Sequence, residues 1–442
     1  MTRSPNLEQV STRLQRIAQL AREDRERSFM SLAHHIDVDF LREAYRRTRK
    51  DGATGVDGQT AADYERNLEE NLLDLLDRFK SGRYKAPPVR RVYIPKGSDS
   101  SKKRPIGVPT FEDKVLQRAV AMVLEAVYEQ DFLGCSYGFR PQRSAHQAIG
   151  DLWKSLMEMG GGWVLEADIE GFYDNLDPGH LRDFLDQRVR DGVLRRTLDK
   201  WLKAGVMEAG TLSHPATGTP QGGVVSPILS NIYLHKVLDE WFEARVRPRL
   251  IGQASLIRFA DDFVVVFQLE TDARRVLEVL PKRFARYGLR LHPDKTRLTR
   301  FERPRKPEPD RAQPDAEPRS FDFLGFSHYW ERSRRGTWVV KRKTASDRTT
   351  RFLRKLNLWC QENRHVPVTL QHAQLLSKLR GYYEYYGITG NSRSLSSLQH
   401  KVKRIWRKWL SRRSRTSNLI WKRFNLLLER YPLPNPRICH RV

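Results

Sequence analysis

RFADDFVVVF, Arg258 to Phe267, is the stretch on which the reading of the whole chain turns. Its flanks are aromatic and β-branched and suit a pleated, half-buried strand, whereas Asp is depleted in strands and costly to bury as an unpaired anion. Two readings fit. Ala260-Asp261-Asp262 is the turn of a β-hairpin, since Asp is a common turn residue. Alternatively, carboxylates at the hairpin tip hold divalent metal, because hard cations such as Mg²⁺ take carboxylate oxygens. A carboxylate elsewhere is needed to choose, and WVLEADI (163–169) supplies one: a short apolar run read as a strand entering Asp168. If the two strands neighbour each other in one sheet, Asp168, Asp261 and Asp262 converge on one edge. Such a cluster can hold two metal ions about 3.5–4 Å apart, one activating an attacking hydroxyl and one stabilising the leaving oxygen of a phosphoryl transfer.

Composition points to a polyanionic partner. The 442 residues carry a formal charge of +27, with 39% hydrophobic and 30% charged residues, a globular balance. The charge is uneven: residues 331–442 hold 27 Lys and Arg against 5 Asp and Glu, which is +22 of the total. A separate basic module at that end is the simplest account. No apolar run approaches the roughly 20 residues of a membrane span, and MTRSPNLEQVSTRLQRIAQL lacks the apolar core of a signal peptide, so a cytoplasmic protein is expected. Cys135, Cys360 and Cys439 are far apart and form no C-x-x-C pair, and the histidines show no H-E-x-x-H spacing. Neither a disulfide framework nor a zinc site is expected.

Along the chain, charged helices fill residues 6–50 up to the Asp51-Gly52 turn, and Leu68, Leu72 and Leu75 mark a helix over 64–79. A proline-punctuated basic segment follows, then a buried helix over 114–132. Ser226-Pro227 predicts a helix start running to about Phe242. An amphipathic helix over 272–287 and an edge strand over 289–301 come next, before a Pro- and charge-rich loop at 302–319. Beyond residue 331 the pattern is basic and helical, near 346–362, 369–386, 394–411 and 415–430. Strands and helices without βαβ alternation predict an α+β fold followed by an all-α appendage. The expected division is a helical extension (1–50), a main α+β body (51–330) and a basic helical domain (331–442).

The ordered blocks GWVLEADIEGFYDNLD, GTPQGGVVSPILSNIYL, RFADDFVVVF, LRLHPDKT and FDFLGF resemble those of group II intron-encoded reverse transcriptase–maturases. Upstream, GATGVDG, KKRPIGVPTFEDKVLQRAV and CSYGFRPQRSAHQAI are similar to the same family, as is LRGYYEYYGITGN near the maturase or thumb region. The resemblance covers nearly the whole chain and implies a right-hand polymerase with fingers and palm, then a helical thumb/maturase module. It implies metal ligation by Asp168, Asp261, Asp262 and the Ile169 backbone carbonyl, with two Mg²⁺ ions or Mn²⁺ in their place. It implies that Tyr173, or Phe172 beside it, packs under the incoming sugar, that Gln221 contacts the nucleotide, that Lys103 and Arg104 meet the triphosphate, and that Lys295 lies near the primer end. The family's usual Tyr before Ala-Asp-Asp is here Phe259, which keeps the ring and loses a hydroxyl. Nothing after the thumb blocks resembles an endonuclease extension.

Lys401, Lys403, Arg404, Arg407, Lys408, Arg412 and Arg413, interleaved with Trp406 and Trp409, form a candidate phosphate-neutralising face. Expected partners are structured intron RNA, an RNA template, a DNA primer and dNTPs. The expected function is RNA-directed DNA synthesis with splicing assistance and a role in intron mobility. Two other readings stay open: an RNA-binding splicing cofactor with a vestigial polymerase, and a free-standing domesticated reverse transcriptase in repair or phage defence. Retention of all three carboxylates favours an active enzyme, because anions without metal are a liability.

Overall fold

The computed structural model describes residues 5–95, 103–208, 211–213, 222–304, 320–414 and 418–441. Its strands are β1 (Val89–Pro95), β2 (Lys103–Val108), β3 (Trp163–Asp168), β4 (Val206–Glu208), β5 (Thr211–Ser213), β6 (Ala254–Phe259), β7 (Asp262–Phe267), β8 (Arg297–Arg300), β9 (Phe321–Phe323), β10 (Phe326–Arg332) and β11 (Trp338–Thr344). Helices and strands interleave along the chain without a regular βαβ alternation, as expected for an α+β fold. Two compact units emerge: Met1–Ser144 with Ala167–Val265 and Thr271–Arg297, and Ala145–Glu166 with Val266–Glu270 and Leu298–Val442. This division by packing differs from the sequence-based boundaries at 50 and 330, because the chain passes between units several times.

In the first unit the organising element is the helix Phe111–Tyr128. The Thr110 side chain caps it by accepting from the Asp113 N–H, and Glu112 and Asp113 place negative charge in its first turn. Thirteen of its eighteen residues are buried, so it is apolar nearly all round and the helices Pro5–Glu23 and Val38–Arg47 can pack on it. β1 and β2 form an antiparallel pair in register Ile94↔Arg104, extended by β4 and β5.

The sheet that matters for chemistry has the order β6-β7-β3-β8. β7 lies in its interior, which explains why Phe263 to Phe267 is an unbroken apolar run rather than an alternating one: both faces are covered. The helix starting at Ser226 keeps α geometry only to Leu234 and continues in π-helical turns at His235–Asp239 and Phe242–Val246.

The second unit contains the helix Ala145–Met159 and the antiparallel sheet β11-β10-β9, in register Trp330↔Val340. Four helices follow, Ser346–Glu362, Val368–Tyr386, Ser392–Leu410 and Trp421–Arg430, around a core that includes Leu356, Leu375, Leu379, Leu395, Trp406 and Phe424. The region beyond 331 is therefore helical after an initial strand, and the expectation of an all-α module is corrected at Trp338–Thr344. Among the described residues no helix is long and apolar enough to cross a membrane.

Candidate active site

The hairpin reading of RFADDFVVVF holds, and it sets Asp261 in the turn with Asp262 opening the strand after it. β6 ends at Phe259, β7 begins at Asp262, and Ala260-Asp261 is the two-residue turn between them. Ala260 has φ +57°, the positive first central φ of a II′ turn, which an L residue adopts only under constraint. The constraint is visible on both sides. Gly138 packs so closely against the turn that a Cβ there would lie 2.3 Å from the Ala260 nitrogen. From beneath, Arg258, fully buried, donates through Nη1 to the Ala260 carbonyl at 3.1 Å.

Arg258 is itself fixed in a closed polar network. Its guanidinium forms a two-pronged ion pair with buried Asp239, Nε to Oδ1 at 2.7 Å and Nη2 to Oδ2 at 2.5 Å. Nη1 also donates to Asn231 Oδ1 at 3.0 Å and Nη2 to Ser136 Oγ at 2.7 Å, while Asn231 Nδ2 donates to the Gly138 carbonyl at 2.8 Å. Every partner is inside the protein, so the network acts as a rigid support for the tip. None of these supports was singled out from the sequence. The available signal was Arg258 itself, a cation in an apolar strand.

Asp168 ends β3, next to β7 in the sheet, and so meets the hairpin tip at one edge. Burial pushes the Asp261 carboxyl above the ordinary range, and Asp168 pushes the same way; a backbone N–H, Arg104 and Lys295 pull it back. Two carboxylates brought together in a partly desolvated place favour a cation between them, and in this structure Lys295 and Arg104 supply that positive charge. Lys295, in a 3₁₀ turn at Pro293–Lys295, forms an ion pair with Asp168. Asp262, half-buried, opens β7 directly after Asp261, and Ile169, directly after Asp168, bridges to Leu291. Among the described residues no group of three or more His, Cys, Asp or Glu is placed to hold a metal ion.

Of the other residues singled out from the sequence, Arg104 and Tyr173 lie within electrostatic reach of Asp261. Lys103 and Arg104 begin β2 and are exposed, and Arg104 lies within electrostatic reach of both Asp261 and Tyr173. Of the two candidate rings, Phe172 is only 3% exposed and packs edge-on against Tyr233, so it belongs to the core. Tyr173 is half-buried, hydrogen-bonds Ser230 and feels the Asp261 charge; burial, and then that charge, raise its phenol. Gln221 lies outside the described residues. Its neighbour Gly222, at φ +118°, runs against β2 so tightly that a Cβ would sit 2.6 Å from the Gly107 carbonyl oxygen.

That loop is also tethered from the helix Phe111–Tyr128. Gln117 Oε1 accepts from the Val224 N–H at 2.7 Å, and its Nε2 donates to Asp113 Oδ2 at 2.9 Å. Trp201 Nε1 donates to Asp113 Oδ1 at 2.7 Å, and the Tyr84 hydroxyl donates to the same carboxylate. Burial pushes Asp113 up to about 6 despite three donors that favour its charged form.

In the second unit the basic residues split into two groups. Lys401, Arg404 and Lys408 are exposed along one face of Ser392–Leu410 and Arg412 is exposed just past its end, with Lys408 and Arg412 over the Trp409 ring. Arg407 donates to the Leu419 carbonyl at 2.9 Å and lies over the Trp421 ring, and Arg413 donates to the Val366 carbonyl at 2.6 Å. Lys403 is half-buried between the groups, and Trp406 is fully buried core.

The carboxylate-bearing hairpin thus stands beside a second strand that ends in Asp168, in the sheet ordered β6-β7-β3-β8. In comparison with known proteins, the family described as "Reverse transcriptase (RNA-dependent DNA polymerase)" matches residues 94–328, more than half of the chain. The chain belongs to the reverse transcriptase family. It is 35% identical over 280 residues to Protein YkfC of Escherichia coli K12, covering 55% of this chain and 71% of YkfC. It is 43% identical over 170 residues to the group II intron-encoded protein LtrA of Lactococcus lactis subsp. cremoris, covering 38% of this chain and 28% of LtrA. It is also 27% identical over 235 residues to nuclear intron maturase 2, mitochondrial, of Arabidopsis thaliana, covering 41% of this chain and 32% of that protein. The chain thus spans less than a third of the length of LtrA.

Proposed function

We propose that this protein is an RNA-directed DNA polymerase that extends a primer 3′-hydroxyl along an RNA template, releasing pyrophosphate from each dNTP. The observation that carries the reading is that Asp168 and Asp261 come together at the ends of neighbouring strands, with Lys295 ion-paired to Asp168 and Arg104 within electrostatic reach of Asp261. Asp168 and Asp261, with Asp262 beside them and the Ile169 carbonyl adjoining, are the groups that would hold Mg²⁺ or Mn²⁺. Divalent ions there would supply activation of the primer hydroxyl and charge stabilisation of the leaving phosphate. The protein's own work is positioning and electrostatics. Lys103 and Arg104 bind the triphosphate, Tyr173 packs under the sugar, and the Gly222-Gly223 backbone, with Gln221 before it, lines the nucleotide's other side.

Similarity to LtrA and to the Arabidopsis maturase, together with the exposed basic face of Ser392–Leu410, supports a second activity: binding a structured intron RNA and assisting its splicing, as part of group II intron mobility in the bacterial cytosol or nucleoid. Primer extension on an RNA template with dNTPs and Mg²⁺ tests the core of this reading. Native protein is expected to make product and Asp261→Ala none, with RNA affinity unchanged within about threefold. Equal loss of RNA binding in the variant would make Asp261 a structural residue, and absence of product from native protein that still binds RNA would favour a splicing cofactor with a vestigial polymerase.

A further inference from the structure

Next to the catalytic hairpin stands an aromatic side chain with no core to serve. Phe139 is 57% exposed, and its backbone is held at φ +57°, a conformation that is an outlier for a bulky residue. Its neighbours leave it no choice. On one side Gly138 is wedged against Ala260 and its carbonyl accepts from Asn231 Nδ2. On the other, the Arg140 guanidinium donates to Glu129 and, at 2.8 Å each, to the carbonyls of Leu133 and Ser136. Before it, the segment runs as an extra ribbon on β6, with the Tyr137 N–H donating to the Arg258 carbonyl and the Arg258 N–H to that of Cys135. The frame that fixes the Asp261 turn therefore also fixes the backbone that displays Phe139.

The ring is displayed toward a second aromatic. Phe139 and Phe259 have ring centroids 6.4 Å apart with planes tilted by 42°, and Phe259, half-buried, is two residues before Asp261. Two uncharged rings at a site otherwise rich in charge are suited to the flat face of a base or sugar rather than to phosphate. The triphosphate has its own partners in Lys103 and Arg104. The remaining group that must come up to Asp261 is the nucleotide carrying the attacking hydroxyl. We propose that Phe139, together with Phe259, forms an aromatic platform on which the 3′-terminal nucleotide of the primer stacks, Phe139 being a strained residue kept for this contact. The proposal rests on the polymerase reading of the Asp168–Asp261 site.

The backbone supplies a clean test, because Phe139→Gly deletes the ring while relieving the left-handed strain. Binding of a recessed RNA–DNA primer–template is measured by fluorescence anisotropy with a normal and with an abasic 3′-terminal primer nucleotide, for native protein, Phe139→Gly and Phe139→Tyr. Native protein and Phe139→Tyr are expected to bind the abasic end roughly five- to a hundredfold more weakly than the normal end, the range of one base–aromatic stack. Phe139→Gly is expected to bind both ends alike, with an unfolding temperature equal to or above that of native protein. In extension assays its KM for primer–template rises while its KM for dNTP stays within about twofold. A Phe139→Gly variant that keeps the discrimination overturns the platform, one whose dNTP KM rises instead moves the ring to the incoming nucleotide, and one that melts earlier makes Phe139 a packing residue. The binding readout does not depend on catalysis, so it separates failure of the platform from failure of the polymerase reading, which Asp261→Ala decides.

Discussion

Arg258 shows how a single buried cation can organise a site it never touches chemically. Its two-pronged pair with Asp239 is completely removed from water, so the value of the arrangement lies in geometry more than in net stability. Removing one partner strands the other. Arg258→Met is expected to lose about 3–5 kcal/mol in urea unfolding, the usual cost of leaving a buried charge unpaired. Adding Asp239→Leu to that variant should recover much of the stability and little of the polymerase activity, because the Ala260 carbonyl and hence the Asp261 turn remain unsupported. Recovery of both together would reduce Arg258 to a structural role. Residues of this kind were hidden in the sequence although their chemistry was on show. The carboxylates Asp168 and Asp261 were legible because two anions in apolar strands need an explanation, while Gly138, Asn231 and Asp239 have partners distant in sequence and give no local signal.

At the scale of elements, the helix Phe111–Tyr128 does two jobs from two faces. Its apolar residues fill the core, and one polar line, Asp113 and Gln117 one turn apart, reaches the loop that carries Gly222 and Gly223. The orientation of the Gln117 amide follows from Asp113: an ionised carboxylate accepts from Nε2 and leaves Oε1 for the Val224 N–H. Asp113→Asn presents an amide N–H₂ toward Nε2, favours the flipped Gln117, and frees the loop. It is expected to raise the KM for dNTP about tenfold with a smaller change in kcat, read by steady-state extension. The same substitution carries a pH signature. Asp113 has a folded pKa near 6, above its ordinary 3.8, so its stabilising contribution is complete below about pH 4 and is lost as pH rises through 6. The difference in unfolding free energy between native protein and Asp113→Asn should therefore shift by up to about 3 kcal/mol from pH 4 to pH 7, in the variant's favour at the higher pH. Elements with strong periodicity were legible from sequence: the helices at Ser346–Glu362 and Val368–Tyr386 start within a residue of expectation. β11 was not, because TWVVKRKT mixes β-branched residues with a basic run whose charge suggested a continuing helical module. Phe172 and Tyr173 were left as alternatives for a related reason. Adjacent aromatics look alike in sequence, and only packing against Tyr233 separates core from site.

For the whole molecule the dominant fact is charge asymmetry, +22 of +27 lying beyond residue 330. Read from sequence, seven Lys and Arg around Trp406 and Trp409 formed one face. Folding divides them by what their side chains already hold. Arg407 and Arg413 are committed to backbone carbonyls, and a cation so engaged has less to offer a phosphate. Lys401, Arg404, Lys408 and Arg412 are exposed, Lys408 and Arg412 resting against the Trp409 ring without giving up a hydrogen-bond donor to the backbone of the described residues, and long exposed cations in a row are what releases counterions from a nucleic acid. Replacing those four with Gln should therefore reduce the slope of log affinity for RNA against log salt concentration by about 0.7 for each single-strand phosphate that is no longer neutralised, up to roughly 3 in all. Replacing Arg407 and Arg413 should leave that slope unchanged and lower the unfolding temperature instead. Filter binding across a salt series, with a melting curve for each variant, distinguishes the two groups. Equal slopes for all variants would mean that the RNA is held elsewhere and that the basic helix serves only to keep the module soluble.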